Sequence, residues 1–313
     1  MNLHDECFIC KKKESLTIKV LNHLYLGKKT KIIHCKECCH SFFPKVFDTE
    51  DFDEKFVNFY RDSKDLNPLV VKPKFFQPLS IRNYSIFNLI KVFTKLKKKL
   101  SLLEIGPGYP GIIYLFKKFI SNYHDNSLFY SIESDTRSIQ SLKKIGIENI
   151  SHFFPNKYLE KYKDKFDIIL SINSFYYFSD PIQSLKLINQ ILKKNGIFFL
   201  DIISDAEINS EYFERSAVLH VYSKKSLRKI ANIIGMEIVF MEYSSEDNTT
   251  KKYLERSNSS LSSNLFYKLT MKVLRRLGFF HQNEIETHLL FSEDFDYINN
   301  DNGGRIRAIF KKK

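Results

Sequence analysis

The chain has 313 residues, 43% apolar and 27% charged, with 29 Phe and 17 Tyr, a composition that excludes bulk disorder and suits one main domain with a small appendage. Lys plus Arg outnumber Asp plus Glu by 49 to 36; this permits acidic partners such as RNA or nucleotide sugars without demonstrating one, and AT-rich coding would produce the same bias toward Lys, Ile, Asn and Phe. No apolar run approaches the roughly 20 residues of a membrane-spanning helix, and the polar start lacks a signal-peptide core, so a cytoplasmic chain is expected.

All five cysteines lie within the first 39 residues. Two C-x-x-C pairs, Cys7/Cys10 and Cys35/Cys38, are separated by 24 residues. In a chain without an export signal such pairs read as a metal clip rather than as disulfides. Two knuckles complete the four-sulfur tetrahedron of structural zinc, leaving no open position for a water nucleophile. We therefore expect Zn2+ on Cys7, Cys10, Cys35 and Cys38, with Cys39 or His40 as an alternative ligand at the second knuckle. Between the pairs, Leu16, Ile18, Val20, Ile32 and Ile33 suit the strands of a zinc-ribbon-like module over residues 1–45. Residues 46–80, aromatic and broken by Pro68, Pro73 and Pro78, read as a connector.

Ile81, Ile86, Leu89, Ile90, Phe93 and Leu96 recur at helical spacing, and the apolar run 100–105 follows as a buried strand. That strand ends in L-L-E-I-G-P-G-Y-P-G (102–111), ahead of a helical segment at 112–120. Glycines at 106 and 108 allow a sharp turn and close approach to a ligand, while the helix presents free amides at its start. A second strand (128–132) ends at Glu133, where a carboxylate can accept hydrogen bonds from a ribose diol. Further strands are expected at 166–172, 193–202, 236–243 and 304–311, with helices at 182–193 and 226–234, which is β-α-β alternation throughout.

Gly106, Gly108 and Gly111 also satisfy G-x-G-x-x-G, the dinucleotide fingerprint, so an NAD(P)-dependent oxidoreductase is one rival reading. Four segments in order instead resemble the class I S-adenosylmethionine (SAM)-dependent methyltransferases: E-I-G-P-G at 104–108, Glu133, F-D-I-I-L-S-I-N-S at 166–174, and L-K-K-N-G at 192–196. The resemblance implies a Rossmann-like seven-stranded sheet over 81–313, mostly parallel with the last strand antiparallel, and a helical insertion at 244–303. It also implies cofactor contacts from Glu104, Gly106, Gly108, Gly111, Glu133, Asn173 and Ser174, with Glu104 beside the methionine end and Glu133 on the ribose. The chain departs from the family at Pro110, where a third glycine is common, and at Tyr176 and Tyr177, where many relatives carry an acid and a histidine.

Together with the cysteine pairs, C-H-S-F-F-P, N-F-Y-R at 58–61 and H-V-Y-S-K-K-S-L at 220–227 are similar to zinc-clip methyltransferases of sugar, glycan and natural-product biosynthesis. That narrower likeness implies a sugar, nucleotide-sugar or glycan acceptor, and His220 as general base. Tyr176 and Tyr177 are the other candidates, since deprotonating a hydroxyl or carbon acid needs a His or Tyr near the acceptor. An RNA methyltransferase and a non-catalytic SAM-binding scaffold are the remaining alternatives. Within the insertion, Leu265, Leu269, Val273, Leu277 and Lys268, Lys272, Arg275, Arg276 outline a basic amphipathic helix over 264–280. Such a helix fits peripheral contact with the inner membrane face, packing on its own domain, or a homodimer interface.

Overall fold

The computed structural model describes residues 6–23, 28–43, 77–94, 99–108, 111–121, 126–152, 154, 157–204, 213, 218–244 and 304–313. The helix at 264–280 and most of the connector and insertion lie outside the described residues. No helix among the described residues is long and apolar enough to cross a membrane.

In chain order the first three strands are β1 (Leu16–His23), β2 (Lys28–Cys35) and β3 (His40–Phe42). They are followed by α1 (Gln77–Phe93), β4 (Ser101–Ile105), α2 (Gly111–Ser121), β5 (Leu128–Ile132), α3 (Thr136–Lys144) and β6 (Glu148–Ser151). Next come β7 (Phe166–Ile172), α4 (Pro181–Ile191), β8 (Leu192–Ile203), β9 (His220–Val221), α5 (Lys224–Ile234), β10 (Glu237–Ser244) and β11 (Arg305–Lys311). Seven strands form one sheet in the order β10-β11-β8-β7-β4-β5-β6. β11 runs antiparallel to both β8 and β10, while β4, β5, β6, β7 and β8 pair in parallel. This is the expected mostly parallel methyltransferase sheet with an antiparallel last strand. Its order separates it from the six-stranded dinucleotide fold, which lacks the inserted antiparallel strand.

Alternate residues of the central strands enter two cores, one on each face, as the period-2 geometry of a strand buried on both sides requires. Leu103, Ile105, Ile169, Phe198 and Leu200 meet α4 and α5 on one face. Leu102, Ile168, Leu170 and Phe199 meet α1 and α2 on the other, where Phe87 and Phe116 stand edge to face at 4.7 Å. Helix ends follow local chemistry: Asp135, Asp180 and Ser223 cap α3, α4 and α5, and Gly235 closes α5 in the left-handed conformation at φ +73°.

β1, β2 and β3 form the expected strands of the N-terminal module. A connection that the sequence pattern did not disclose comes from β9, which pairs antiparallel with β3, setting Ser41 opposite Val221 and Phe42 opposite His220. Cys7, Ile9, Ile33, Cys35, Cys38, Phe42 and Phe43 consequently share the core of the main sheet's first face.

Asp201, with no exposed surface, lies on β8 between two arginines of β11. Arg305 Nε donates to its Oδ1 at 2.6 Å and Arg307 Nε to its Oδ2 at 3.2 Å. Arg307 Nη1 also donates to Ser85 Oγ of α1 at 3.0 Å. Removing one partner of a buried pair strands the other charges. Asp201→Ala is expected to lower unfolding free energy by about 3–5 kcal/mol in urea, whereas Lys11→Ala, which removes an exposed ion pair with Glu6, should leave the midpoint nearly unchanged.

Candidate cofactor site and metal centre

The site is built where β4, β5 and β7 end. After Ile105 the chain turns at Gly106 (φ +67°) and Gly108 (φ +51°), a region in which side chains with a Cβ are strained. A Cβ on Gly106 would come within 2.6 Å of the Ser174 Cβ, whereas one on Gly108 would meet nothing within 4 Å. Gly106 is therefore required by its close approach to Ser174, and Gly108 by its positive φ alone. The amide of Gly106 donates to Ile132 O at 2.8 Å, tying the turn to the end of β5.

Two buried carboxylates flank this turn. Glu104 Oε2 accepts from the Ile113 amide at the start of α2 at 3.2 Å. Glu133 Oε2 accepts from Gly108 N at 2.7 Å, and its Oε1 accepts from Ser134 N and Asp135 N at 2.8 and 2.9 Å. Burial pushes the Glu104 carboxyl up to about 8; the Ile113 amide opposes the rise and repulsion from Glu133 adds to it. Burial also raises Glu133, against the three backbone amides that favour its charged form.

The remaining expected residues divide. Gly111 opens α2. Asn173 ends β7 at φ +57°, with its amide on Asp201 O at 2.9 Å and its Oδ1 accepting from Arg305 Nη2. Ser174 Oγ donates to Ile105 O at 2.6 Å and lies 2.7 Å from Ser171 Oγ, so its hydroxyl binds strand ends together instead of facing a ligand. Tyr176 is buried and Tyr177 half-buried, their rings edge to face at 4.5 Å. His220, expected as a base over the pocket, is 2% exposed. Its ring stacks on His40 at 5.3 Å, with Nδ1 3.2 Å from His40 Nε2, and burial drives its basicity well below the ordinary imidazole range. Sequence reasoning missed Asp201, Arg305 and Arg307; the signal available was alternating Arg in an apolar C-terminal strand together with an acid in F-F-L-D-I.

The cofactor implied by this fold fits the donor set. S-adenosylmethionine bears an ammonium and a sulfonium, which would relieve the paired buried carboxylates, and a ribose diol that a Glu133 carboxylate can accept; it supplies an electrophilic methyl group. Fold and turn together define a class I SAM-dependent methyltransferase. A family model described as a methyltransferase domain matches residues 79–239, about half of the chain, and the chain belongs to that family. It is similar to the tRNA U34 carboxymethyltransferase of Campylobacter jejuni subsp. jejuni, 30% identical over 154 residues, 47% of each protein. The Campylobacter lari protein of the same name is 27% identical over 202 residues, 60% of this chain and 62% of the relative. The chain thus spans about half to three fifths of the length of these curated relatives. Among solved structures, a chain from the complex of the Haloferax volcanii Trm112 methyltransferase activator with a methyltransferase superposes with TM-score 0.50 at 12% identity, covering 82% of this chain and 96% of that one.

The Sγ atoms of Cys7, Cys10, Cys35 and Cys38 lie within 4.8 Å of one another. Cys7–Cys38 and Cys10–Cys35 are each 3.4 Å apart, too far for disulfides, and all four thiols are free. A zinc–sulfur distance of about 2.3 Å implies tetrahedral sulfur separations near 3.8 Å, so the cluster fits such an ion with small adjustments. Hydrogen bonding by Cys38 pulls the Cys7 thiol down and reciprocally raises Cys38. Cys39 Sγ instead points to Lys36 O at 3.7 Å, and His40 Nε2 is engaged with His220.

The sign of the Glu104 effect is testable. Its folded carboxyl keeps a proton that the unfolded chain loses near 4.5, so its burial costs increasing stability as pH rises from there to about 8, and the cost is complete above that. Glu104→Gln is expected to raise Tm relative to wild type at pH 9 much more than at pH 5. The same variant should weaken S-adenosylhomocysteine binding roughly 10–100-fold. Equal Tm differences at both pH values would contradict the assignment.

Proposed function

We propose that this SAM-dependent methyltransferase modifies RNA, with tRNA the favoured acceptor class, and that its four N-terminal cysteines hold one structural zinc. The similarity to the two tRNA U34 carboxymethyltransferases carries the acceptor reading. The net charge of +13 suits an acidic polymer. The sugar or glycan acceptor expected from the sequence draws no support from these relatives. Peripheral membrane contact and homodimerisation through residues 264–280 rest on residues outside the described set and draw none either.

Methyl transfer is an in-line displacement, so the protein's work is to align the acceptor with the sulfonium methyl and exclude water. We assign Gly106, Gly108, Glu104 and Glu133 to the cofactor. We assign Asn173 and Tyr177, in the segment that follows β7, to the acceptor side. His220 has no exposed edge with which to meet an acceptor proton, so we assign it a positioning role in place of the general-base role expected from the sequence.

With methyl-labelled SAM, bulk tRNA is expected to become labelled and nucleotide sugars to stay unlabelled, with tRNA affinity falling steeply between 50 and 200 mM salt, as expected of about 6–10 phosphate contacts. Label on a nucleotide sugar with none on tRNA would overturn the acceptor reading. Purified protein should contain about one zinc per chain, and Cys35→Ser should lose it; metal content far below that level would overturn the zinc reading.

A further inference from the structure

The second cysteine knuckle is joined to α5, and through residues 219–222 to the turn at 174–179. Phe43 N donates to Leu219 O at 3.0 Å, and Leu219 N donates to Tyr176 O at 2.9 Å. Ser223 Oγ, while capping α5, donates to Cys38 O at 3.0 Å. Lys229 of α5 pairs with Glu37 between the two knuckle cysteines at 2.8 Å. His40, two residues after Cys38, lies within reach of the Cys7 thiol and stacks almost parallel on His220, at 6°. The far side of the His220 ring reaches the backbone of Phe178 and Ser179. Tyr222 stacks on His40 at 5.1 Å and lies tilted against Phe175 at 5.2 Å.

The turn is also held by Phe175 against Phe198, Phe178 against Phe154 and Ser174 Oγ on Ile105 O. Its own bonds are one 3₁₀ turn, Tyr177 N to Ser174 O at 3.0 Å and Phe178 N to Phe175 O at 3.3 Å, and short 3₁₀ pieces are poorly self-supporting. Its first residue, Ser174, is pinned to Ile105 O beside the Gly106 turn, while the contacts from the knuckle reach Tyr176, Phe178 and Ser179.

We propose that the metal clip braces the turn at 174–179, with His40 and His220 as positioning residues that carry the constraint from the knuckle to the acceptor side of the site. The proposal rests on the zinc reading above. A bound metal ion would fix the spacing of Cys35 and Cys38, and with it the register of β3 against β9; the four thiols alone offer only weak S–H bonds to do so. The cofactor side, held by Gly106, Glu133 and the β4–β5 pairing, does not pass through the clip.

The test is hydrogen exchange on the full-length, metal-assayed protein before and after chelation. Chelation is expected to speed exchange about tenfold or more in peptides covering 174–179 and 218–223. Peptides covering 101–105 and 128–132 should stay protected, and S-adenosylhomocysteine affinity should change by less than about threefold, within 0.7 kcal/mol. Faster exchange confined to 6–43, or spread over the whole sheet, would overturn the proposal. His220→Gln, which keeps a donor and an acceptor, should retain the protection at 174–179, and His220→Phe, which keeps only the ring, should lose it with zinc still bound; the reverse order would show that His220 merely fills space. Should His220→Phe fail to fold, the chelation arm decides. Protein devoid of metal as purified, yet fully protected at 174–179, would overturn both the zinc reading and the brace, whereas zinc present with no effect of chelation on the turn would overturn the brace alone.

Discussion

Asp201 is a full carboxylate with no exposed surface in the middle of a seven-stranded sheet, and much of the site depends on how that charge is tolerated. Desolvating an unpaired carboxylate is prohibitive, so β11 must lie antiparallel beside β8 in the one register that brings both Arg305 and Arg307 to it. A slip of one residue would turn both guanidinium groups to the opposite face. The same arginines extend outward from the pair, Arg307 to Ser85 on α1 and Arg305 to Asn173 at the end of β7. The last strand of the chain thereby fixes a residue in the left-handed conformation at the edge of the site. The buried charges contribute register and position more than net stability, which is where such pairs act most effectively.

Around the cofactor turn the electrostatics have the opposite character. Glu104 and Glu133 are buried beside each other with backbone amides as their described partners, so each raises the energy of the other's charged form. A cationic ligand would remove that repulsion on binding. Burial thus keeps Glu104 protonated up to about pH 8, and a cationic ligand would favour its charged form, an arrangement common at binding sites.

Much of this was legible from residue patterns. The run L-L-E-I before G-P-G, the acid ending L-F-Y-S-I, and F-D-I-I-L-S-I located β4, β5 and β7 because strands buried on both faces read as continuous apolar runs. The four cysteines were legible because ligand spacing is a local property. β6 was not located, since E-N-I-S is short, polar and partly exposed at the sheet edge. The pairing of β3 with the two-residue β9 was equally invisible, because 180 residues separate His40 from His220 and neither segment has a periodicity of its own. His220 shows the same limit: the segment H-V-Y-S-K-K-S-L resembled an element over the pocket, but a family likeness does not say whether a ring faces solvent or a neighbouring histidine. Asp167, near the start of β7, accepts from Ser101 N and Lys193 Nζ and pins β4 and β8 to β7.

In the N-terminal module the four-cysteine cluster and the docking contacts involve the same short segment. About forty residues bury too little apolar surface to be stable alone, and modules of that size ordinarily need an ion, disulfides or a partner surface. Here Ile33, Phe42 and Phe43 are buried within the core of the main sheet's first face, while β3 borrows its outer partner from β9. The cysteine cluster and the docking contacts share the same few residues, because Cys35 ends β2, Cys38 lies in the turn and His40 starts β3. A constraint applied at the sulfurs would therefore pass along three residues of backbone to the strand that pairs with β9. An independent ribbon on a flexible tether would need an ion for its own folding only; a ribbon sharing a sheet with strand β9 would couple a bound ion to the segment that β9 touches.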